Sequence, residues 1–503
     1  MSFSPNFIRR LSTTVTKPAK LGQPVFASHP HLIKPDELTP GISTREYESR
    51  RQRLMETLPD NSIVVLIGGK VKYMSNQILY VPLFNSPNWL LTPPSYKFRQ
   101  ASDFWYLTGF DEPDAAVILE KASSQRGYKM SLFSSGSNQE KEKWDGARTT
   151  FTDAKAHFKF DESLPFHSLP RTLRSLLPAY DNIYVDILRP SSRRSSPRSI
   201  LKYLSPDPEP RSEYDTIMEA LNSSRRKPLA PAVAKLRSIK SPAEQAVMRA
   251  AADISGTALA KTMRFTQPGM SEHTIASHFE YLCAFAGSQR PAYVPVVASG
   301  PNALVIHYTS NNQIAHQTEL VLIDAGCEFN GYASDITRTY PVSGTYSPAQ
   351  RELYTAVLNT QKNLINMCSE AAGVSLMDLH RKSAELLTVE LKQISVGFQL
   401  TQSVVERELY PHFVGHHVGI DLHESNHLDR NEQLREGMVI TIEPGVYVPP
   451  LPHFPKEFHN IGIRIEDDIL IGSTGPTILS VNAPKEIADV EGACQGILGL
   501  EPF

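Results

Sequence analysis

The chain has 503 residues, of which 41% are hydrophobic, and its 51 basic and 53 acidic residues leave a net charge of -2. Such a chain can bury the cores of two or more domains, and its balanced charge gives no overall attraction to nucleic acid or to a membrane surface. No apolar run reaches the roughly 20 residues of a transmembrane helix, and the four cysteines are too widely spaced for a disulfide framework or a Cys-x-x-Cys zinc site, which favours a reducing compartment.

The amino-terminal residues are basic, and no acidic side chain precedes Asp36. Arg9 and Arg10 lie among many serines and threonines between positions 2 and 16. Four apolar side chains would share one face of a helix there: Phe3, Phe7, Ile8 and Leu11. This composition is typical of a mitochondrial transit peptide, and a disordered basic tail is the alternative. We predict a mitochondrial targeting segment over residues 1–35, outside the fold.

A first domain is predicted over residues 43–225. Residues 45–58 have the pattern of an amphipathic helix. Three apolar runs predict strands, at residues 62–68, 115–119 and 183–187. Alternating helices and strands indicate an α/β layer. Two proline-rich stretches interrupt the pattern: residues 79–96, read as a surface insertion or a subunit contact, and residues 190–226, read as an excursion and linker.

A second domain is predicted over residues 232–490. Its first helix begins with Ser-Pro-Ala-Glu at 241–244, where the serine caps the helix, proline takes the first helical position and glutamate the third. Further helices are expected at residues 271–285 and 348–371. The two apolar runs at 293–300 and 302–308 predict strands joined by a turn.

The stretch from 319 to 340 has the strongest local signal. Two apolar runs flank an Asn-Gly pair at 330–331, which predicts a hairpin. The register set by this turn puts Asp324 opposite Thr337 and makes Asp335 a diagonal neighbour of Asp324 on the same face. Two carboxylates so placed would repel each other, and a pair of divalent cations would remove that conflict. Two exposed surface aspartates are the alternative.

Candidate partners for these aspartates lie far along the chain. Residues 411–424 contain four histidines among glycines, without the His-Glu-x-x-His pattern of zinc peptidases, so a metal there needs distant ligands. Glu443 ends an apolar strand predicted at 436–447, and Glu466 interrupts the apolar strand 462–470. A carboxylate beside an apolar interior is costly unless it is paired or binds a cation. The pattern favours one shared metal site over isolated surface groups but does not say which histidine joins it.

Three motifs resemble those of the aminopeptidase P family, the Xaa-Pro aminopeptidases, among the dinuclear pita-bread metallopeptidases. They read Leu-Ile-Asp-Ala-Gly-Cys-Glu at 322–328, Ser-Asp-Ile-Thr-Arg-Thr-Tyr-Pro-Val at 334–342 and Gly-Ile-Arg-Ile-Glu-Asp-Asp at 462–468. The resemblance also covers Asp-Phe-Trp-Tyr-Leu-Thr-Gly-Phe at 103–110. It implies an α/β (α+β) fold class, with a creatinase-like amino-terminal domain followed by a pita-bread catalytic domain.

The resemblance also assigns roles to particular residues. It selects His416 from the histidine run and implies these metal ligands: Asp324, Asp335, His416, Glu443 and Glu466. It implies these catalytic residues: His307, His412 and His423 for substrate and intermediate, Glu443 as proton shuttle, and Arg464 in support. It implies these substrate-binding residues: Tyr293, His307, His412, His423, Tyr447 and Trp144, the last serving a neighbouring subunit in relatives. Two divalent ions are expected, with Mn²⁺ favoured over Zn²⁺, Co²⁺ or Fe²⁺ because most of the donors are hard.

The transit-like start resembles the mitochondrial branch of the family. The implied function is removal of the amino-terminal residue from peptides or imported mitochondrial proteins, either before proline or when processing intermediates are trimmed. The implied protein is a homo-oligomer, dimer or tetramer, in the matrix or associated with the inner membrane. The alternatives are a prolidase-like Xaa-Pro dipeptidase, which has the same ligands, and a non-catalytic pita-bread peptide-binding protein, a class that has lost ligands.

Overall fold

The computed structural model describes residues 21–72, 74, 95–186, 213–221, 225–394 and 400–503. The chain divides into unit 1, Met1–Ala230, and unit 2, Pro231–Phe503. Most of the predicted insertion at 79–96 and linker at 190–226 lies outside the described residues. Across the described ranges, no helix is both long enough and apolar enough to cross a membrane.

A mixed six-stranded sheet forms the centre of the described part of unit 1. The strands of this unit are β1 (Glu37–Thr39), β2 (Ile42–Ser43), β3 (Ser62–Ile67), β4 (Ala116–Lys121), β5 (Tyr128–Ser134), β6 (Glu162–Pro165), β7 (Asn182–Asp186) and β8 (Arg226–Pro228). Its helices are α1 (Thr44–Thr57), α2 (Ser102–Thr108), α3 (Gln139–Asp145), α4 (Phe151–Phe158), α5 (Leu169–Leu176) and α6 (Glu213–Ala220). The sheet order is β6-β5-β4-β3-β7-β8. The predicted first helix and the three predicted strands are confirmed by α1, β3, β4 and β7, the last as far as Asp186.

Residues 21–35, which were assigned to the targeting segment, pack on unit 1. Three apolar side chains of this stretch are buried: Leu21, Val25 and Ile33. The side-chain amide of Gln23 donates to the carbonyl oxygen of Gly109 (2.9 Å) and accepts from the backbone nitrogen of Asp111 (2.7 Å). The folded unit therefore begins at Leu21 or earlier, and targeting remains a prediction for the residues before it.

Unit 2 surrounds several small antiparallel sheets with helices. Its helices are α7 (Ala230–Ser238, beginning at the last residue of unit 1), α8 (Pro242–Phe265), α9 (Glu272–Phe285), α10 (Pro348–Ile365), α11 (Leu376–Ile394), α12 (Gln402–Val404) and α13 (Ile487–Gln495). Its strands are β9 (Arg290–Pro291), β10 (Val296–Ser299), β11 (Leu320–Asp324), β12 (Cys327–Phe329), β13 (Tyr332–Ala333), β14 (Thr337–Pro341), β15 (Val439–Ile442), β16 (Gly445–Val448), β17 (Ile461–Arg464), β18 (Asp467–Ile471) and β19 (Pro476–Ile478). Among the described residues the sheets run β10-β11-β14, β13-β12-β9, β15-β18-β19 and β16-β17.

The helix starts of unit 2 follow the sequence signals. At α8 the Ser241 hydroxyl accepts from the backbone nitrogen of Glu244, whose carboxylate accepts from the backbone nitrogen of Ser241. Helix α10 ends at Ile365, short of the predicted residue 371, and further along the chain the backbone N–H of Glu370 donates to the carbonyl oxygen of Gly472. Helices α8, α9 and α10 contribute to one large core, and all four cysteines of the chain lie in described parts of unit 2, buried and without a disulfide.

The strand predicted over residues 302–308 is wrong. Gly300 has a φ of 51° and Pro301 fixes the next φ, so the chain turns into a 3₁₀ helix over Gly300–Leu304. The side-chain amide of Asn302 anchors this turn by donating to Glu272 (2.8 Å). Of the residues that follow, Ile306 and His307 line a cavity instead of pairing in a sheet.

Candidate metal centre

The hairpin positions the two aspartates as predicted. Asn330 and Gly331 have φ values of 49° and 85°, as a two-residue hairpin turn requires. Strands β11 and β14 pair with Asp324 opposite Thr337. Between the turn and the aspartates the arms approach so closely that a Cβ on Gly326 would lie 1.8 Å from the carbonyl oxygen of Ser334. This approach requires glycine at position 326.

Both aspartates converge on one point. The hydroxyl of Tyr293, three residues before β10, lies 2.5 Å from Oδ1 of Asp324 and 2.6 Å from Oδ1 of Asp335. Donor atoms of Asp335, His416 and Glu466 all lie within 4.8 Å of one another. His416 Nε2 lies 3.2 Å from Asp335 Oδ2. The aspartate hairpin and the histidine run therefore meet, as the sequence predicted.

Strand β15 supplies the next two contacts. The backbone of Thr441 donates to the carbonyl oxygen of His416 (2.8 Å), and the Thr441 hydroxyl accepts from the backbone nitrogen of His416 (3.0 Å). Glu443 follows β15, and its Oε1 lies 3.9 Å from His416 Nε2. Glu443 does not continue the strand, because Pro444 separates β15 from β16.

Glu466 occupies a matching break between β17 and β18. Its backbone N–H donates to the carbonyl oxygen of Thr337 (3.1 Å), and its carboxylate accepts from the Thr337 hydroxyl (2.7 Å). Thr337 and Asp468, whose carboxylate accepts from the backbone nitrogen of Asp335 (3.1 Å), were not among the predicted site residues. The signal for Thr337 was its spacing of two from Asp335, which places both on one face of an extended strand.

The electrostatics of the cluster call for added positive charge. Burial raises the pKa of Glu443 to about 7, raises the pKa of Asp324, and raises the pKa of Glu466 well above its ordinary value. Burial also opposes ionisation of Asp335, but the hydrogen bonds from His416 and Tyr293 and the positive charges of His416 and Arg464 together outweigh it and lower the pKa of Asp335. Four carboxyl groups in so buried a space cannot all ionise without cations. An oxygen-rich set with one imidazole therefore could hold divalent metal ions.

A second network supports the cluster from one side. Arg464 donates to Asp324 Oδ2 (2.6 Å) and to the hydroxyl of Tyr447 (2.7 Å). The same hydroxyl lies 2.9 Å from Nε2 of His412, and burial lowers the pKa of His412 to about 3. His412 Nδ1 in turn lies 3.8 Å from Glu443. The chain Arg464–Tyr447–His412 thus fixes an imidazole beside the metal-site carboxylate.

The cluster opens into a cavity of about 810 Å³. His307 and His423 are exposed residues of its wall, and the rings of His416 and His423 are 4.3 Å apart between centroids. Apolar side chains line another part of the wall: Leu376, Met377, Phe413, Leu422 and Leu428. Of the predicted site residues, only Trp144 belongs to unit 1, where it lies on α3 with 61% of its surface exposed; its role stays a prediction.

Comparisons with known proteins agree with this geometry. Residues 246–473 match metallopeptidase family M24, and residues 93–184 match the amino-terminal domain of aminopeptidase P. Intermediate cleaving peptidase 55 of Saccharomyces cerevisiae is 38% identical over 485 residues, covering 96% of this chain and 90% of that protein. Xaa-Pro aminopeptidase 3 of Homo sapiens is 33% identical over 488 residues, covering 94% of this chain and 90% of that protein.

Solved structures give the same result. The crystal structure of Icp55 from Saccharomyces cerevisiae, lacking 58 amino-terminal residues, has a TM-score of 0.78 at 37% identity and covers 92% of this chain and 99% of its own. Aminopeptidase P from Escherichia coli with the inhibitor Pro-Leu has a TM-score of 0.76 at 29% identity, covering 91% and 100%. The predicted fold class, with its creatinase-like and pita-bread domains, is confirmed. The chain belongs to metallopeptidase family M24, as a metalloaminopeptidase with an amino-terminal domain of the aminopeptidase P type.

Proposed function

We propose that this enzyme removes single residues from the amino termini of peptides and proteins, with two divalent metal ions bound in unit 2. The proposed ligands are Asp324, Asp335, His416, Glu443 and Glu466. The observation that carries the proposal is the convergence of these side chains, from four distant stretches of sequence, on one buried cluster. The hard donors favour Mn²⁺ over Zn²⁺, Co²⁺ or Fe²⁺.

The bound ions would supply Lewis acidity toward the scissile carbonyl and make a water acidic near neutral pH. Side chains of the protein would transfer the proton, stabilise the developing charge and orient the reacting groups. Glu443 would take the proton that the attacking water gives up and pass it to the leaving amine. His412, 3.8 Å from Glu443 and oriented by the Tyr447 hydroxyl 2.9 Å away, stabilises the charge that develops on the substrate. Arg464 keeps Tyr447 in place and compensates the charge of Asp324.

The cavity wall provides the substrate contacts in this proposal. His307 and His423 lie on its exposed side, where they can hold the peptide. Tyr293 fixes the directions of the Asp324 and Asp335 carboxylates and borders the same space. Trp144 would act in the cavity of a second copy, so we propose a homo-oligomer, either dimer or tetramer.

The relatives suggest the biological substrate. Their names describe a peptidase that cleaves intermediates and an aminopeptidase for Xaa-Pro termini, and one from Arabidopsis thaliana is named as mitochondrial. Together with the basic, acid-free start of the chain, this supports a mitochondrial enzyme that trims imported proteins, in the matrix or at the inner membrane. The targeting segment is proposed to lie before Leu21, because Leu21, Val25 and Ile33 are buried in unit 1.

Peptide libraries test the proposal. Protein loaded with Mn²⁺ is incubated with peptides that differ in their first two residues and with Xaa-Pro dipeptides, and the products are identified by mass spectrometry. We expect release of one amino-terminal residue from longer peptides and a loss of at least about 100-fold in kcat for Glu443→Ala. Glu432→Ala, which removes an exposed carboxylate of the same unit, is the control. Cleavage of dipeptides alone would favour the prolidase alternative, and full activity of Glu443→Ala would refute the site.

A further inference from the structure

A buried ion-pair cluster is centred on Glu424, which follows His423 in the chain and, like it, lines the cavity. The carboxylate of Glu424 accepts two hydrogen bonds from the guanidinium of Arg237 on α7, from Nε to Oε1 (3.1 Å) and from Nη2 to Oε2 (2.9 Å). Lys240 Nζ lies 3.6 Å from Oε1, and Arg237 also contacts Asp421 at 2.7 Å. Arg237 and Glu424 are both buried, with 4% of their surfaces exposed.

The same carboxylate stabilises the conformation of the loop formed by residues 416–424. Oε2 of Glu424 accepts from the backbone nitrogen of Asp421 (3.2 Å), and the backbone N–H of Glu424 donates to the carbonyl oxygen of His417 (2.9 Å). Gly419 packs directly on the carboxylate, since a Cβ there would lie 2.6 Å from Oε2. The Gly419 carbonyl oxygen accepts from Ala333 on β13, so the loop is tied to the aspartate hairpin as well.

The loop closed in this way carries two imidazoles of the proposed site. His416 and His423 stand edge to face, with ring centroids 4.3 Å apart and planes at 75°. His423 is exposed on the cavity wall, so packing alone leaves it room to turn. The next residue, Glu424, restrains the backbone at His423: its N–H donates to the carbonyl oxygen of His417, and its carboxylate is oriented by the two hydrogen bonds from Arg237.

We propose that Arg237 is a positioning residue for the peptidase reaction: through Glu424 it keeps His423 beside His416. The inference rests on the proposed function, in which His423 holds the substrate. A buried ion pair contributes little net stability compared with a well-packed apolar pair of the same volume. Loss of Arg237, however, leaves Glu424 with Lys240 at 3.6 Å and without the two hydrogen bonds that fix the direction of its carboxylate. A bidentate guanidinium–carboxylate pair also fixes direction, which a lysine in place of Arg237 cannot do as well.

A double-mutant cycle tests the coupling. Arg237→Met, His423→Ala and the double variant are loaded with Mn²⁺, checked for metal content and assayed well below their melting temperatures. We expect Arg237→Met to keep its metal and to lose about 10- to 100-fold in kcat with a smaller change in KM. In the His423→Ala background, the further loss should be less than about twofold, since the group that Arg237 positions is gone. Arg237→Lys, which keeps the charge, should recover part of the loss.

Arg435→Met is the matched control, because Arg435 forms an exposed ion pair with Glu432 in the same unit and lies outside the proposed machinery. An unchanged kcat for Arg237→Met, or equal losses in both backgrounds, would overturn the proposal. If Arg237→Met does not fold, Arg237→Lys replaces it in the cycle, and equal losses in kcat in the wild-type and His423→Ala backgrounds would again overturn the proposal. The proposed function fails separately, only if the metal-loaded wild-type protein releases no amino-terminal residue.

Discussion

Ile33 tests where the folded protein begins. It is 2% exposed, whereas its neighbour Leu32 is 50% exposed. Truncating a buried isoleucine to alanine costs about 2–5 kcal/mol, while most exposed substitutions stay within about 0.5 kcal/mol. With a urea m-value of about 2 kcal/mol per M, Ile33→Ala should lower the unfolding midpoint of unit 1 by about 1–2.5 M. Leu32→Ala, one position away, should leave that midpoint nearly unchanged.

Tryptophan fluorescence can follow this unit alone. The chain has three tryptophans, and all of them lie in unit 1: Trp89, Trp105 and Trp144. Their urea transition therefore reports on the unit that contains Ile33 and not on the catalytic unit. Equal midpoints for Ile33→Ala and wild type would refute the packing argument. So would a mature protein, isolated from cells, that begins after residue 33 and keeps the wild-type midpoint.

Three further predictions concern unit 2. Gly326→Ala should abolish stoichiometric metal binding, measured by elemental analysis, because its Cβ would lie 1.8 Å from the carbonyl oxygen of Ser334. Burial alone raises the pKa of Glu424, but Arg237 and Lys240 outweigh it and lower that pKa from 4.5 to about 2. Relative to the protonated carboxyl, ionisation of Glu424 therefore contributes about 3 kcal/mol of stability above pH 4.5, and this contribution is lost as pH falls through 2, so the stability difference between wild type and Glu424→Gln should narrow from pH 7 to pH 3. Chelation should lower the melting temperature of unit 2, and Mn²⁺ should restore it, because ligands of the folded state stabilise it.

Short-range signals made the hairpin predictable from sequence. The Asn-Gly turn fixes its own backbone and therefore the register, so Asp324 opposite Thr337 followed from local residues alone. The strand expected over residues 302–308 failed for the opposite reason. Its apolar run has strand-forming residues, but Gly300 and a side-chain hydrogen bond from Asn302 to a distant helix turn the chain away.

The histidine run shows the limit of local patterns. Nothing near His416 distinguishes it from the other imidazoles of its loop; the distinction comes from Thr441 on β15, which binds both its backbone groups. The family resemblance supplied that choice because it carries information about the whole fold. Helix α11 is absent from the predicted elements although its buried residues, among them Leu379, Leu387 and Leu391, have helical spacing. The helical spacing of these residues would have been enough to predict α11 from the sequence.

The distribution of the four buried thiols gives the catalytic unit a built-in chemical probe. All of them lie in unit 2: Cys283, Cys327, Cys368 and Cys494. A thiol-specific reagent can reach them only when the surrounding core opens, so the rate of alkylation measures how often that core exposes its interior. Alkylation in the presence and absence of Mn²⁺ would then reveal whether cation binding suppresses local opening around the hairpin, where Cys327 lies, or opening of the whole unit.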